Sequence, residues 1–302
     1  THRENDIVPV DPVEAPLSLS GHIADLRARA ANPDDPVDAQ LAATLLALMA
    51  REHVLSAQPQ RWLGAGGTPT TDAEYTGDLT LSPSQFERAL ACPLRWFLTT
   101  IGADGPSNAA ASLGTLIHAV AEEHPHGSAD ELEAALEERI EELGYNLDTW
   151  AGRVADRHAR DIVNNLATYL EGIPGPVEVE QAVSAQVEGV TIRGRMDRLE
   201  HVDEGVRVTD LKTGKSGYSA KNVPDNPQLA AYQMALLASG ERVAGARIAL
   251  LGDDKPKFFD QPRLEGQALE DWRDKIRAVA ADARGPHFEA RPSDAACAYC
   301  SF

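Results

Sequence analysis

An α+β core flanked by helices, preceded by a helical arm, is the fold this sequence predicts, on three observations. Apolar residues recur at helical spacing through most of the first 173 residues. After the breaker Pro174-Gly175-Pro176 the period shortens from about 3.6 to about 2, at Val177, Val179, Ala185, Val187, Val190 and Ile192. A Gly- and Pro-rich stretch, Trp62-Leu63-Gly64-Ala65-Gly66-Gly67-Thr68-Pro69, reads as a linker, so residues 1–78 form the arm and 79–302 the main domain.

In the arm, residues 1–16 are rich in Pro, Asp and Glu without a period and are expected to be extended. Ile23, Leu26 and Ala30 give a short amphipathic helix, and Asn32-Pro33-Asp34-Asp35-Pro36 breaks it and caps a second, from Val37 to about His53. Two such helices are too few for a core of their own. In the main domain, Ser82, Pro83 and Gln85 suit N-cap, N1 and N3 of a helix running to about Ala91. Further helices are expected around Gly114–Glu123, Asp130–Leu143 and Thr149–Leu170. Strands follow at Gly194–Glu200 and Val206–Lys212, a helix at Gln228–Ser239, a buried strand at Ala246–Leu251, and a helix at Glu265–Arg284 stopped by Gly285-Pro286. No internal repeat is found.

The 302 residues carry 47 Asp and Glu against 28 Lys and Arg, a net charge of -19. That balance excludes a free-standing binder of DNA phosphates, because such affinity comes from counterion release by Lys and Arg. Any nucleic-acid role needs a locally basic site or a partner that delivers the strand. The longest apolar run, Leu41–Ala50, is about half of what a membrane span needs, so no membrane role is expected. Three Cys make no disulfide framework, which points to the cytoplasm. The opening Thr1-His2-Arg3-Glu4 has no initiator Met and no signal-peptide pattern, as in a piece of a longer polypeptide.

The chemistry concentrates in Gly194-Arg195-Met196-Asp197-Arg198 and Val208-Thr209-Asp210-Leu211-Lys212-Thr213-Gly214. Alternate strand residues share a face, so Asp210 and Lys212 point the same way, after Val206 and Val208. If the hairpin closes through Asp203-Glu204, or through the four residues 202–205, Asp197 and Asp210 stand directly opposed, roughly 4.5–5.5 Å apart; a three-residue loop breaks that register. Opposed carboxylates repel, and a divalent cation resolves the conflict. Hard oxygen ligands select Mg²⁺ or Mn²⁺, Lys212 is placed to hold a water or a phosphate oxygen, and the combination suits metal-assisted phosphodiester hydrolysis. Glu180 offers another oxygen or is a strand-edge charge. Between Val190 and Lys221, seven basic residues outnumber five acidic ones, so this stretch is locally basic.

These segments, followed by Gln228-Leu229-Ala230-Ala231-Tyr232 and preceded by Gly114-Thr115-Leu116-Ile117-His118, resemble the successive motifs of RecB-type nucleases of the PD-(D/E)XK superfamily. The resemblance spans about residues 80–302 and implies a short central mixed sheet flanked by helices. It implies metal ligands His118, Asp197 and Asp210, a catalytic Lys212, and Gln228, Tyr232 and Arg195 at the DNA. Leu81-Ser82-Pro83-Ser84 with Cys92-Pro93-Leu94-Arg95, and Cys297-Ala298-Tyr299-Cys300, resemble the cysteine frame of members holding a [4Fe-4S] cluster. That implies Cys92, Cys297 and Cys300 as ligands, with a fourth Cys expected beyond Phe302. The arm and the Ala- and Arg-rich style resemble most the C-terminal part of an actinobacterial AdnAB-type helicase-nuclease subunit. This implies a double-strand-break processing enzyme whose motor delivers single-stranded DNA, a heterodimeric partner, and ATP hydrolysis elsewhere, since these residues hold no Gly-x-x-x-x-Gly-Lys-Ser/Thr loop. Two other readings stay open: an inactive nuclease fold serving as a DNA channel or scaffold, and a zinc or thiol-redox module built on the Cys-x-x-Cys pair.

Overall fold

The computed structural model describes residues 18–32, 34–59, 74–103, 109–140, 145–173, 175–215, 217–293, 297 and 300. The extended segment expected at 1–16 and the linker at 62–69 lie outside the described residues. The chain divides into two compact units, Thr1–Thr71 and Asp72–Phe302.

In the first unit, α1 (Leu19–Ala30) is capped by Ser18 and α2 (Pro36–Arg51) by Asp35, with Pro36 at N1. Contrary to the expectation that two helices lack a core, they and a 3₁₀ turn at Leu55–Ala57 bury Ile23, Leu26, Ala42, Leu46 and Ala57 together. The cluster works because small Ala42 and Ala57 let the elements approach closely, and Arg29 fastens α1 to Asp38 of α2. Leu41, Leu45 and Leu48 stay exposed on the other side of α2.

The second unit is a mixed sheet between two helical layers. Its strands are β1 (Thr80–Leu81), β2 (Val177–Val187), β3 (Val190–Val202), β4 (Gly205–Lys212), β5 (Val243–Leu250) and β6 (Lys257–Pro262). β3 is the spine. β2 runs antiparallel along one edge, while the other edge pairs first with β1, in parallel, and further on with β4, antiparallel. β4 pairs in parallel with β5 through the crossover helix α8 (Pro227–Ala238), and β6 closes the far edge. The segments read separately at 177–192 are thus one hairpin of two long strands. Its two-residue turn, Glu188-Gly189, takes φ of 49° and 79°, the left-handed pair of a type I′ turn that matches strand twist. Strand β6, helix α4 (Pro93–Thr100) and the short β1 have no counterpart in the sequence reading.

One face of the sheet is covered by α3 (Pro83–Ala91), α4, α8 and α9 (Gly266–Ala283), around Phe86, Leu229, Ile248 and Trp272. The other is covered by α5 (Ala109–Glu123), α6 (Ala129–Arg139) and α7 (Trp150–Glu171), around Ile117, Leu132, Leu166 and Leu211. Residues 141–144, where the acidic helix was expected to end, lie outside the described residues. The cap predicted at Ser82 is a full capping box: Ser82 accepts from the Gln85 N–H and Gln85 accepts from the Ser82 N–H, an arrangement in which the Ser side chain contributes about 1 kcal/mol. Gly205, at φ 136°, opens β4 where a Cβ would lie 1.8 Å from the Arg242 carbonyl oxygen; only glycine lets β4 and β5 start side by side.

Candidate metal-dependent active site

The β3–β4 hairpin closes through Asp203-Glu204, with Val202 opposite Gly205 and the ladder running to Arg198 opposite Thr209. Asp197 and Asp210 are the next pair in that register. On the other side of β3, Val179 pairs with Arg198 and Gln181 with Met196, which sets Glu180 opposite Asp197. Three acidic residues therefore stand in a row across β2, β3 and β4. The row sits at a local irregularity. Glu180 has φ 49°, rare for a non-glycine residue, and Ile192, Met196 and Leu199 all reach the same core, so the in–out alternation of β3 shifts by one residue around Asp197.

Helix α5 brings in His118, whose Nδ1 lies 3.4 Å from Asp197 Oδ1. The other Asp197 oxygen accepts from the Leu211 N–H at 2.7 Å, so the carboxylate is fixed from both sides. His118, Glu180 and Asp197 form a group in which one donor atom of each lies within 4.8 Å of the others. Asp210, expected beside them as a ligand, instead turns to its own strand neighbour: Lys212 Nζ lies 2.7 Å from its Oδ2. Gln228 spans that pair, donating to Asp210 Oδ1 at 2.8 Å and accepting from Lys212 Nζ at 3.2 Å. Helix α8 is oriented for this by Asn226, which caps it by accepting from the Leu229 N–H.

The charges strain against burial. Burial and then the charge of Asp197 push the Asp210 carboxyl up to about 6, against the pull of Lys212. Burial also lifts Glu180, helped by Asp197 and Glu122. For Lys212, burial favours the neutral amine, but Asp210 outweighs it and holds the ammonium well above its usual range. For His118, burial likewise favours the neutral ring and the Asp197 carboxylate outweighs it, so its pKa is raised. The pocket is rich in carboxylates, with imidazole and carboxylate donors suited to Mg²⁺ or Mn²⁺.

The remaining expected site residues divide. Arg195 is exposed and approaches Glu180, Nη1 to Oε2, at 3.7 Å. Tyr232, expected at the DNA, is only 6% exposed and donates its hydroxyl to the Arg195 carbonyl at 2.5 Å, which ties α8 to β3. Cys92, at the junction of α3 and α4, lines a cavity of about 190 Å³ together with Cys297, Cys300, Arg95 and Arg291. The start and end of the domain thus meet at these three thiols, and Phe97 stacks on Phe288 nearby with ring centroids 4.2 Å apart. Glu180 as a member of the metal-binding group was the residue the sequence reading left undecided. The Glu188-Gly189 turn carried the signal, since closing a hairpin there puts 180 opposite 197.

Residues 80–302 match the family model of the PD-(D/E)XK nuclease superfamily. The chain belongs to this superfamily. PD-(D/E)XK nucleases use divalent metals, and the donor group around Asp197 provides a place for one. No curated protein matches the chain. Among solved structures, the chain is similar to one described as SSO0001, at 15% identity and a TM-score of 0.37, over 86% of this chain and 93% of that one. It is also similar to a protein of Eubacterium rectale named only as a candidate exonuclease, at 13% identity and a TM-score of 0.46, over 78% and 92%.

A cation held by the His118, Glu180 and Asp197 group displaces protons, because the imidazole must be neutral and the carboxylates ionised. His118 and Glu180 are both shifted upward, so Mn²⁺ affinity should be weak near pH 5, rise as the pH is raised and level off once both have lost their protons. Titration calorimetry across that range checks this; an affinity independent of pH contradicts it.

Proposed function

We propose that the chain is a divalent-metal-dependent deoxyribonuclease domain that hydrolyses phosphodiesters of single-stranded DNA. In this reading it serves within a cytoplasmic helicase-nuclease of double-strand-break processing, and it works with a partner subunit. The observation that carries the reading is the acid row Glu180, Asp197 and Asp210 between an imidazole on one side and an ammonium on the other. His118, Glu180 and Asp197 would hold the cation, with Asp210 one cross-strand position away as a further oxygen donor. When bound, Mg²⁺ or Mn²⁺ supplies Lewis-acid activation of water and neutralises charge growing on the phosphorus oxygens.

The chain's own groups do the rest. Lys212, held protonated by Asp210, acts as a hydrogen-bond donor to the scissile phosphate or its water and not as a base. Gln228 keeps the ammonium and the carboxylate in register. Arg195, exposed beside Glu180 and anchored at its carbonyl by Tyr232, is placed to meet a backbone phosphate. The charge of -19 keeps DNA off most of the surface, which fits a domain fed by a motor and not one that captures DNA by itself.

A second element of the proposal is structural. Cys92, Cys297 and Cys300 would hold a [4Fe-4S] cluster, with a fourth ligand from outside the described residues. The support is that Cys92 and the distant pair Cys297 and Cys300 line one cavity, beside two Arg side chains that suit an anionic thiolate cluster. Its role would be to staple the first helices of the domain to its last residues.

Asp210→Ala is expected to reduce Mn²⁺-dependent degradation of single-stranded DNA by more than the roughly 10–100-fold that loss of a supporting residue costs. Undiminished degradation would remove the assigned site. Protein carrying the chain beyond Phe302, purified without oxygen, is expected to contain iron and sulfide; zinc without iron would end the cluster assignment.

A further inference from the structure

We infer that Arg198 is a positioning residue for the metal-binding group: it sets the separation of His118 from Asp197 by tying the end of α5 to β3. The inference rests on the metal reading above. Arg198 directly follows Asp197, and its side chain is fully buried. Its Nη2 donates to the carbonyl of Pro125 at 3.0 Å, two residues beyond the last residue of α5, the helix that carries His118. One guanidinium therefore links the neighbour of one donor residue to the chain just beyond the helix of another, and those two donors, His118 and Asp197, stand 3.4 Å apart.

Charge pairing alone does not account for this residue. Glu200, also fully buried, is already satisfied: Arg207 donates to its Oε2 from Nε at 2.9 Å and from Nη2 at 2.7 Å, and the Tyr169 hydroxyl donates to Oε1. Arg198 Nε forms an ion pair with that carboxylate at 3.9 Å, too long for a hydrogen bond, its guanidinium lies 5.7 Å from the Tyr169 ring centroid, and among the described residues neither Nε nor Nη1 has a hydrogen-bond partner. A buried cation with two unused donors is costly to a fold, so this guanidinium is not explained as a means to stability alone. Holding two donor groups at a set distance is a role an apolar side chain cannot fill, because it offers nothing to the Pro125 carbonyl.

The test separates the two effects by measuring, for the 302-residue chain, Mn²⁺ affinity by titration calorimetry and the melting temperature without metal. Arg198→Met is expected to bind Mn²⁺ at least about tenfold more weakly, the loss typical of a removed supporting residue, while the metal-free variant stays folded at the temperature of the titration. Arg198→Lys, whose ammonium extends toward the same carbonyl, is expected to recover part of the affinity. A Met variant with wild-type affinity overturns the inference, as does a melting temperature that falls together with affinity in both variants. A wild-type chain with no Mn²⁺ affinity removes the metal reading itself, and the inference with it.

Discussion

Asp197 stands between two other carboxylates, Glu180 on β2 and Asp210 on β4, and the sheet holds all three in a row that electrostatics alone would scatter. Burial raises the pKa values of Glu180 and Asp210 and adds to their mutual repulsion. The structure answers with the His118 imidazole from α5 on one side, the Lys212 ammonium from β4 on the other, and the Leu211 N–H on Asp197. Neither the kink at Glu180 nor the acid row itself favours stability. Both fit the cation site proposed for this group of donors.

Holding that arrangement falls largely to residues of α8 and its cap. Asn226 caps α8, Gln228 bridges Asp210 and Lys212, and Tyr232 fastens the same helix to the Arg195 carbonyl. A second buried pair, Gln233 and Gln261, locks α8 to β6 and to the turn before it: Gln233 accepts from the Leu264 N–H, and Gln261 donates to the Pro224 and Asn226 carbonyls. The parallel crossover from β4 to β5 is thereby rigid on its site-facing side, which keeps the Lys212 ammonium aimed where Asp210 sets it.

The sequence made the β3–β4 hairpin legible because a two-residue turn at Asp203-Glu204 fixes every pair in it, the acidic pair included. The shared face of Asp210 and Lys212 followed from strand alternation alone. Glu180 stayed ambiguous because 177–192 read as several short strands, so its partner was undetermined. Tyr232 lies with Gln228 on the side of the acids, as the i, i+4 spacing gives, but α8 is buried nearly all round, with Ala230, Ala231, Tyr232 and Gln233 all inside, so the spacing does not separate a substrate-facing tyrosine from a packed one. Strand β6 escaped because Lys257, Phe258 and Asp260 put apolar and charged residues alike on an exposed edge, which blurs the alternation that marks a strand.

The account stands on a cation bound between β2, β3 and α5, and anomalous diffraction from crystals grown with Mn²⁺ addresses it most directly. The expected result is an anomalous peak coordinated by the His118 imidazole and the Glu180 and Asp197 carboxylates, with Lys212 beside it and still paired to Asp210. Manganese bound elsewhere, with those three side chains uncoordinated at saturating metal, would contradict it.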